Sequence, residues 1–63
     1  MRVLLRAFYE MPEHVFVIHT IEDGYVTGMA LTGPLAGEYG EPDIELVLRV
    51  LSPDITGGSQ GTA

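Results

Sequence analysis

The sequence predicts a small, mainly β protein built on an antiparallel sheet of three or four strands. Residues 14–21 and 25–31 are rich in β-branched and aromatic side chains, which pack well on a pleated surface. Asp23 and Gly24 lie between these two runs. Because glycine accepts a positive φ angle at no steric cost, an Asp-Gly pair in this position indicates a tight β-hairpin.

The hairpin turn also predicts which residues face each other across its two strands. With Asp23 and Gly24 as a two-residue loop, the pairs are Glu22–Tyr25, Ile21–Val26, His19–Gly28, Ile18–Met29 and Phe16–Leu31. A three-residue loop with a bulge would shift this register by one residue, and the glycine at position 28 suits a bend or bulge. The sequence leaves both registers open.

The strand over residues 14–21 is apolar on both of its faces. Alternation places Val15, Val17 and Ile21 on one face, and Phe16 and Ile18 on the other. Strands that are buried on both sides have this composition. We therefore expect a central position in the sheet, or a second subunit that covers one of the faces.

The segments that flank the hairpin are less regular. Residues 2–9 favour a strand that ends before Pro12, because proline lacks the N–H group that a strand ladder needs. Residues 32–43 contain three glycines and two prolines and predict a long loop.

Residues 44–51 fit two kinds of secondary structure. A period of two places Ile44, Leu46, Leu48 and Val50 on one face of a strand, whereas a helical period also produces an apolar stripe. The preferred prediction is a strand, and one short helix is the alternative.

The chain is long enough for one small domain, which we place at residues 1–53. A flexible C-terminal tail is predicted over residues 54–63, which are rich in Gly, Ser and Thr. A chain of about this length buries a limited share of its surface on folding, so a partner subunit is a common source of additional stability.

The stretch DGYVTGMAL, from Asp23 to Leu31, resembles the Asp-Gly-x-x-x-Gly-x-apolar hairpin of Sm-like proteins and other small SH3-like barrels. The resemblance implies an SH3/Sm-like partial barrel as the alternative to a flat sheet. Sm-like proteins assemble into rings and bind RNA. The chain lacks a second Sm motif, and it lacks the basic residues that RNA binding needs. Of the two Sm-like roles, the one that the resemblance implies here is therefore a ring component and not RNA binding.

The charge balance limits the classes of partner. Nine acidic residues oppose three arginines, there is no lysine, and the net charge is −6. Nucleic acids and anionic membranes attract cationic surfaces, so we expect no direct contact with nucleic acid and none with a membrane. No apolar stretch is long enough to span a bilayer, which predicts a cytoplasmic protein.

We expect no enzymatic activity, no cofactor and no metal site. The chain has no cysteine, which excludes disulfides and thiolate zinc sites. His14 and His19 are five residues apart on a strand, so they point to opposite faces, and we expect each to be satisfied by a local hydrogen bond. Ser52 and Ser59 have no nucleophile motif around them.

The predicted function is that of a small acidic protein-interaction module, an accessory or regulatory protein of the kind that phages encode. It would act by self-association as a homo-oligomer or by docking on a larger, basic protein. An acidic mimic of nucleic acid, which inhibits a DNA- or RNA-binding protein, is the alternative, and an Sm-like ring component is the second alternative. The predicted partner contacts are the acidic residues around one tyrosine: Glu38, Tyr39, Glu41, Asp43 and Glu45.

Overall fold

The chain folds into one open antiparallel sheet, which confirms the mainly β prediction. The sheet has five strands and not the predicted three or four, and it is open where the alternative was a partial barrel. In the computed structural model the described residues are 1–53, so the predicted tail at 54–63 lies outside them. The strands are β1 (Arg2–Leu5), β2 (His14–Ile21), β3 (Val26–Ala30), β4 (Tyr39–Gly40) and β5 (Val47–Ser52). Their spatial order is β4-β3-β2-β1-β5, which makes β4 and β5 the two edges.

The β2–β3 hairpin turns at Asp23 and Gly24, as predicted. The Glu22 N–H donates to the carbonyl oxygen of Tyr25 over 2.8 Å, and Ile21 faces Val26, so the loop contains two residues. Gly24 has a φ angle of 90°, which a side chain would strain.

A β-bulge at His19 changes the register beyond the turn. The predicted pairs His19–Gly28, Ile18–Met29 and Phe16–Leu31 are therefore wrong, and the observed pairs are Ile18–Gly28, Val17–Met29 and Phe16–Ala30. His19 is the extra residue of the bulge. Because the bulge adds one residue to β2, Ile21 lies on the same side as Phe16 and Ile18 and not with Val15 and Val17.

Gly28 allows the close approach of the two backbones beside this bulge. A Cβ atom at position 28 would lie 1.8 Å from the carbonyl oxygen of Val17 and 2.9 Å from the ring of Phe16. The ring of Phe16 also reaches the neighbouring Gly40 on β4, where a Cβ atom would meet it at an ordinary 3.9 Å. The missing side chain at Gly28 is thus a packing requirement.

The buried core lies on one side of the sheet, which we call the inner face. Register pairs Val3 with Phe16 and Phe16 with Ala30, so these residues share that side. Six apolar residues of the inner face are buried, and three partly buried ones pack against them. The buried six are Val3, Leu5, Phe16, Ile18, Val26 and Ala30, and the three are Met1, Leu46 and Val47.

The first strand is shorter than the predicted run over residues 2–9. It ends at Leu5, and the chain reverses in a tight turn closed by two hydrogen bonds between Phe8 and Met11, of 3.0 and 2.8 Å. Tyr9 in this turn has a φ angle of 50°, a left-handed conformation that is uncommon for a bulky side chain. This turn sets Phe8 and Met11 beside the start of β2.

Most of the ambiguous segment at residues 44–51 is a strand, which confirms the preferred prediction. Ile44–Leu46 form one 3₁₀ turn, and the strand β5 follows. The short helix predicted as the alternative is therefore wrong, because this single 3₁₀ turn is the only helical part of the segment. β5 pairs with β1, with Leu4 opposite Arg49 and Leu5 opposite Val47.

The predicted loop over residues 32–43 includes the short strand β4, which the sequence did not indicate. Met29 faces Tyr39, and the Ala30 N–H donates to the carbonyl oxygen of Glu38 over 3.1 Å. Within residues 1–53 there is no helix long and apolar enough to cross a membrane.

Candidate functional site

The inner face opens into a pocket of about 260 Å³ beside the core. Its apolar lining comes from β1, the tight turn, β2, β3 and the loop before β4, through Leu5, Phe8, Met11, Phe16, Ala30 and Leu35. The edge strand β4 and its neighbours complete the wall. The pocket is therefore assembled from segments that are distant in the sequence.

His14 is the buried polar residue of this pocket, and only 4% of it is exposed. Its Nδ1 lies 3.0 Å from the carbonyl oxygen of Pro12, which is the local hydrogen bond that the sequence predicts for a histidine. Because a carbonyl oxygen only accepts, Nδ1 carries the proton and Nε2 of the neutral ring is an acceptor. No hydrogen bond to Nε2 is present within the described part of the chain.

Three of the five predicted contact residues line the pocket: Glu38, Tyr39 and Glu41. The Tyr39 hydroxyl donates to Oε2 of Glu41 over 3.0 Å. Alternation from Gly40 places Glu38 on the inner side of the sheet, whereas the pairing with Met29 places Tyr39 on the opposite side.

The same contact controls the acidity of Tyr39. Its pKa is raised above the usual value of 10.0, first because the hydroxyl donates to the Glu41 carboxylate, which would repel a phenolate. A hydrogen bond with Thr27 acts in the opposite direction and lowers the pKa. Tyr39 is therefore held in its neutral, donating form.

The other two predicted contact residues, Asp43 and Glu45, lie outside the pocket. Asp43 faces Tyr25 in an isolated β-bridge next to the hairpin turn, and Glu45 is in the 3₁₀ turn. Both are exposed. The structure thus separates the predicted acidic cluster into a pocket part and a part beside the hairpin.

The opposite side of the sheet, which we call the outer face, is also apolar. It carries Leu4 opposite Val15, Val17 opposite Met29, and Leu31, whose N–H donates to the Val15 carbonyl oxygen. The first three are partly exposed, and Met29 and Leu31 are 37% and 41% exposed. The residues that pack onto the core lie on the inner side, so within residues 1–53 this face is left partly open to solvent.

Charged side chains lie at the two ends of the outer face. Arg2 pairs with Val17 and Arg49 with Leu4, which places both arginines on this face at the β1–β5 side. The Tyr39–Glu41 pair lies at the β4 side. The structure shows no ion pair for either arginine among the described residues.

Sequence reasoning missed the pocket because its members come from separate segments. The alternation of β2 gave one signal, since it places His14 on the same side as Phe16. Nothing in the sequence showed that Phe8 and Met11 would fold back onto that side, because this depends on the unusual φ angle of Tyr9.

Among the described residues, no group of three or more His, Asp or Glu side chains could hold a metal ion. No protein-family model, no curated protein and no solved structure matches this chain.

Proposed function

We propose that this protein is a small acidic interaction module that pairs with a second copy of itself through the outer face. It would act in the cytoplasm as an accessory or regulatory protein. The observation that supports this proposal is the contiguous apolar surface of the outer face, formed by Leu4, Val15, Val17, Met29 and Leu31. Contiguous exposed apolar surface rimmed by polar residues marks interaction sites.

The size of the domain favours an interface of this kind. An interface of standard size takes roughly 800 Å² from each partner, which is about a fifth of the 4074 Å² that this chain exposes. Burying apolar area contributes about 25 cal/mol per Å², and a small domain has few other sources of stability. Pairing would therefore add stability as well as function.

The charges on the outer face favour a second copy as the occupant. A two-fold axis parallel to β2 places the β1–β5 side of one copy over the β4 side of the other. Arg2 lies in the same row of the sheet as Tyr39, through Val17 and Met29, so Arg2 of each copy would then lie beside the Tyr39–Glu41 pair of its partner. Because a two-fold interface repeats every contact, this favourable contact occurs twice.

The test is the molar mass in solution by light scattering, over a concentration series. We expect a dimer that dissociates on dilution. In Val17→Thr, a hydroxyl replaces a methyl group at the centre of the outer face with little change in shape, so the dimer should weaken. Ile21→Thr is the matched control, because Ile21 is 56% exposed but lies on the inner side. Equal effects of both changes would argue against the outer face.

Charge reversal tests the orientation of the pair. Arg2→Glu and Glu41→Arg should each weaken the dimer, because each places like charges opposite one another. The double variant should restore it. Salt at about 0.5 M shortens the screening length to roughly 4 Å, so it should reduce these charge effects and leave the apolar contact. A double variant that is weaker than both single variants would contradict the orientation.

The exposure of the acidic residues favours the nucleic-acid mimic as the second candidate. Glu38, Glu41, Asp43 and Glu45 are all exposed along the connection from β3 to β5. A chain that is monomeric at every concentration would direct the search to a larger, basic partner. Competition with DNA for a basic DNA-binding protein would then separate a mimic from an adaptor.

An Sm-like ring, which is the remaining alternative, would have a larger molar mass than the two-fold dimer. β5 is an edge strand on which Leu48, Val50 and Leu51 are exposed, and an open edge can pair with a strand of another copy. Head-to-tail pairing of the β4 and β5 edges gives a ring of more than two copies where the rotation between copies closes, and an open filament where it does not. Light scattering separates this assembly from the two-fold dimer.

A further inference from the structure

The inner pocket differs chemically from the outer face. Two side chains that line it carry polar atoms without a hydrogen-bond partner among residues 1–53: His14, through Nε2, and Glu38, through its carboxylate. His14 is 4% exposed, so its free nitrogen is held in an apolar environment. A buried polar atom without a partner is costly, which favours a ligand that supplies one.

Both of these groups accept hydrogen bonds. Nε2 is an acceptor because Nδ1 donates to the Pro12 carbonyl oxygen, and an ionised carboxylate has no proton to donate. Tyr39 is also a lining residue, but its pairing with Met29 places the side chain on the outer side, where the hydroxyl donates to Glu41. The available side-chain groups therefore select a ligand that donates hydrogen bonds.

The charge and the lining residues of the pocket limit the class of ligand further. Glu38 gives the pocket a carboxylate at its rim, within a chain of net charge −6. The remainder of the lining is apolar and includes the rings of Phe8 and Phe16. Aromatic rings attract cations through their negative faces.

We propose that the inner pocket binds a protonated primary amine carried on a small apolar body. The ammonium group would donate to Glu38 and to Nε2 of His14, and the body would lie against Phe8, Phe16 and Leu35. The volume of about 260 Å³ is slightly below the range of roughly 300–1,000 Å³ for drug-sized ligands. It therefore suits one small molecule or one side chain. The same chemistry is present in a free amine and in a lysine side chain of a partner.

The experiment is a titration of the full chain, followed by amide chemical shifts. The probe is 2-phenylethylammonium, and 2-phenylethanol and 3-phenylpropionate are the neutral and anionic comparators. We expect the amine to bind at least about tenfold more tightly than the alcohol, which is about 1.4 kcal/mol. The shifts should map to pocket residues such as Met11 and Ala30 and not to Val17. The blocked lysine Nα-acetyl-lysine-N-methylamide distinguishes the sources, because tighter binding of this probe indicates a side chain of a partner.

Two variants separate the pocket from the general acidity of the chain. Glu38→Gln removes the pocket carboxylate from an exposed position and should lower the affinity for the amine about fivefold or more. Glu22→Gln is the matched control, since it removes one charge at the exposed hairpin turn. Neither change touches the outer face, so the molar mass of the protein should stay the same, and the two proposals fail independently.

His14→Phe tests the buried acceptor. It retains an aromatic ring and removes Nε2, so the amine should lose affinity. Trimethyl(2-phenylethyl)ammonium donates no hydrogen bond, so its affinity should be the same for His14→Phe as for the unchanged protein. Because His14 is buried, the fold of this variant is first checked by its circular dichroism, and an unfolded variant leaves Glu38→Gln as the deciding comparison. An amine that binds no tighter than the alcohol, or equal effects of Glu38→Gln and Glu22→Gln, overturns the proposal.

Discussion

The two faces of β2 have similar apolar composition and different surroundings. On the inner face, Phe16 and Ile18 are buried to 3% and 4% exposure. On the outer face, Val15 and Val17 remain partly exposed. Both faces have the same neighbours in the sheet, β1 and β3, so a central position within a sheet does not by itself bury a side chain. The inner face is buried by the residues that pack onto it, such as Leu46.

The faces also differ in their polar groups. The inner face contains acceptors, His14 and Glu38, whereas the outer face carries the cations Arg2 and Arg49 at one end. One sheet thus presents two surfaces of different chemistry. A small domain can in this way present two chemically different surfaces, and the residues packed on one of them hold the fold together.

The largest difference between the faces should appear in the stability of β2 variants. Phe16→Ala removes a fully buried ring and should lower the free energy of unfolding by about 3–5 kcal/mol. Val17→Ala removes partly exposed methyl groups and should lower it by about 1 kcal/mol or less. The measurement is urea unfolding followed by circular dichroism. It is made at a protein concentration at which the chain is monomeric, because pairing contributes stability of its own.

The two faces do not differ in burial if Val17→Ala lowers the free energy of unfolding of the monomer as much as Phe16→Ala does. That result would mean that something within the chain covers the outer face. A low value for Phe16→Ala would instead mean that the inner core collapses around the lost ring.

The second prediction concerns two glycines that face each other across β3 and β4, Gly28 and Gly40. Gly28→Ala places a Cβ atom 1.8 Å from the Val17 carbonyl oxygen, so β2 and β3 must separate. It should destabilise the protein by more than about 2 kcal/mol. Gly40→Ala makes only ordinary contacts, at 3.9 Å or beyond, and should change stability by less than about 1 kcal/mol. Thermal unfolding of the two variants measures the difference.

Gly40→Ala serves as the control for the general effect of adding a methyl group to the inner face. If both variants are equally stable, the backbones of β2 and β3 do not approach as closely as the bulge at His19 requires.

The smallest effect is expected at Tyr39, beside the outer face. Glu41→Gln removes the carboxylate that chiefly raises the Tyr39 pKa, so the pKa should fall towards 10.0. Thr27→Val removes the hydrogen bond that lowers it, so the pKa should rise. A raised pKa in the folded state stabilises the fold at pH values below that of free tyrosine, and this contribution is lost as the pH rises through the folded value. Ring-carbon NMR resolves Tyr39 from Tyr9 and Tyr25.

A Tyr39 pKa that is unchanged in Glu41→Gln would show that the hydroxyl does not donate to this carboxylate in solution. The acidic end of the outer face would then consist of Glu41 alone.

The local features of the fold could be predicted from sequence, and the features that depend on distant contacts could not. Asp23-Gly24 specifies its turn through the φ angle of one glycine, so the hairpin was predictable. The bulge at His19 depends on the fit of two backbones, and Gly28 was its only signal. The two-residue strand β4 exists because Met29 and Ala30 offer an open edge, which no pattern within residues 32–43 reveals.

The candidate site follows the same rule. The acidic segment around Tyr39 was visible in the sequence because it is contiguous, and Glu38, Tyr39 and Glu41 do line the pocket. His14 and Phe8 were not predicted to lie together, because their contact follows from a chain reversal at Tyr9. In residues 44–51 the period of two predicted the strand, whereas the 3₁₀ turn at Ile44–Leu46 had no signal of its own.

The pairing of β1 with β5 has a consequence for how the protein is made. β1 is an interior strand, and one of its two neighbours is β5, the last strand in the described part of the chain. Val3 faces Val50, so this contact joins nearly the whole length of the described chain. Contacts of such long sequence separation slow folding. During translation, Val3 and Leu5 therefore remain without their final neighbour until Ser52 has left the ribosome, and this is the period in which the nascent chain is most exposed to aggregation.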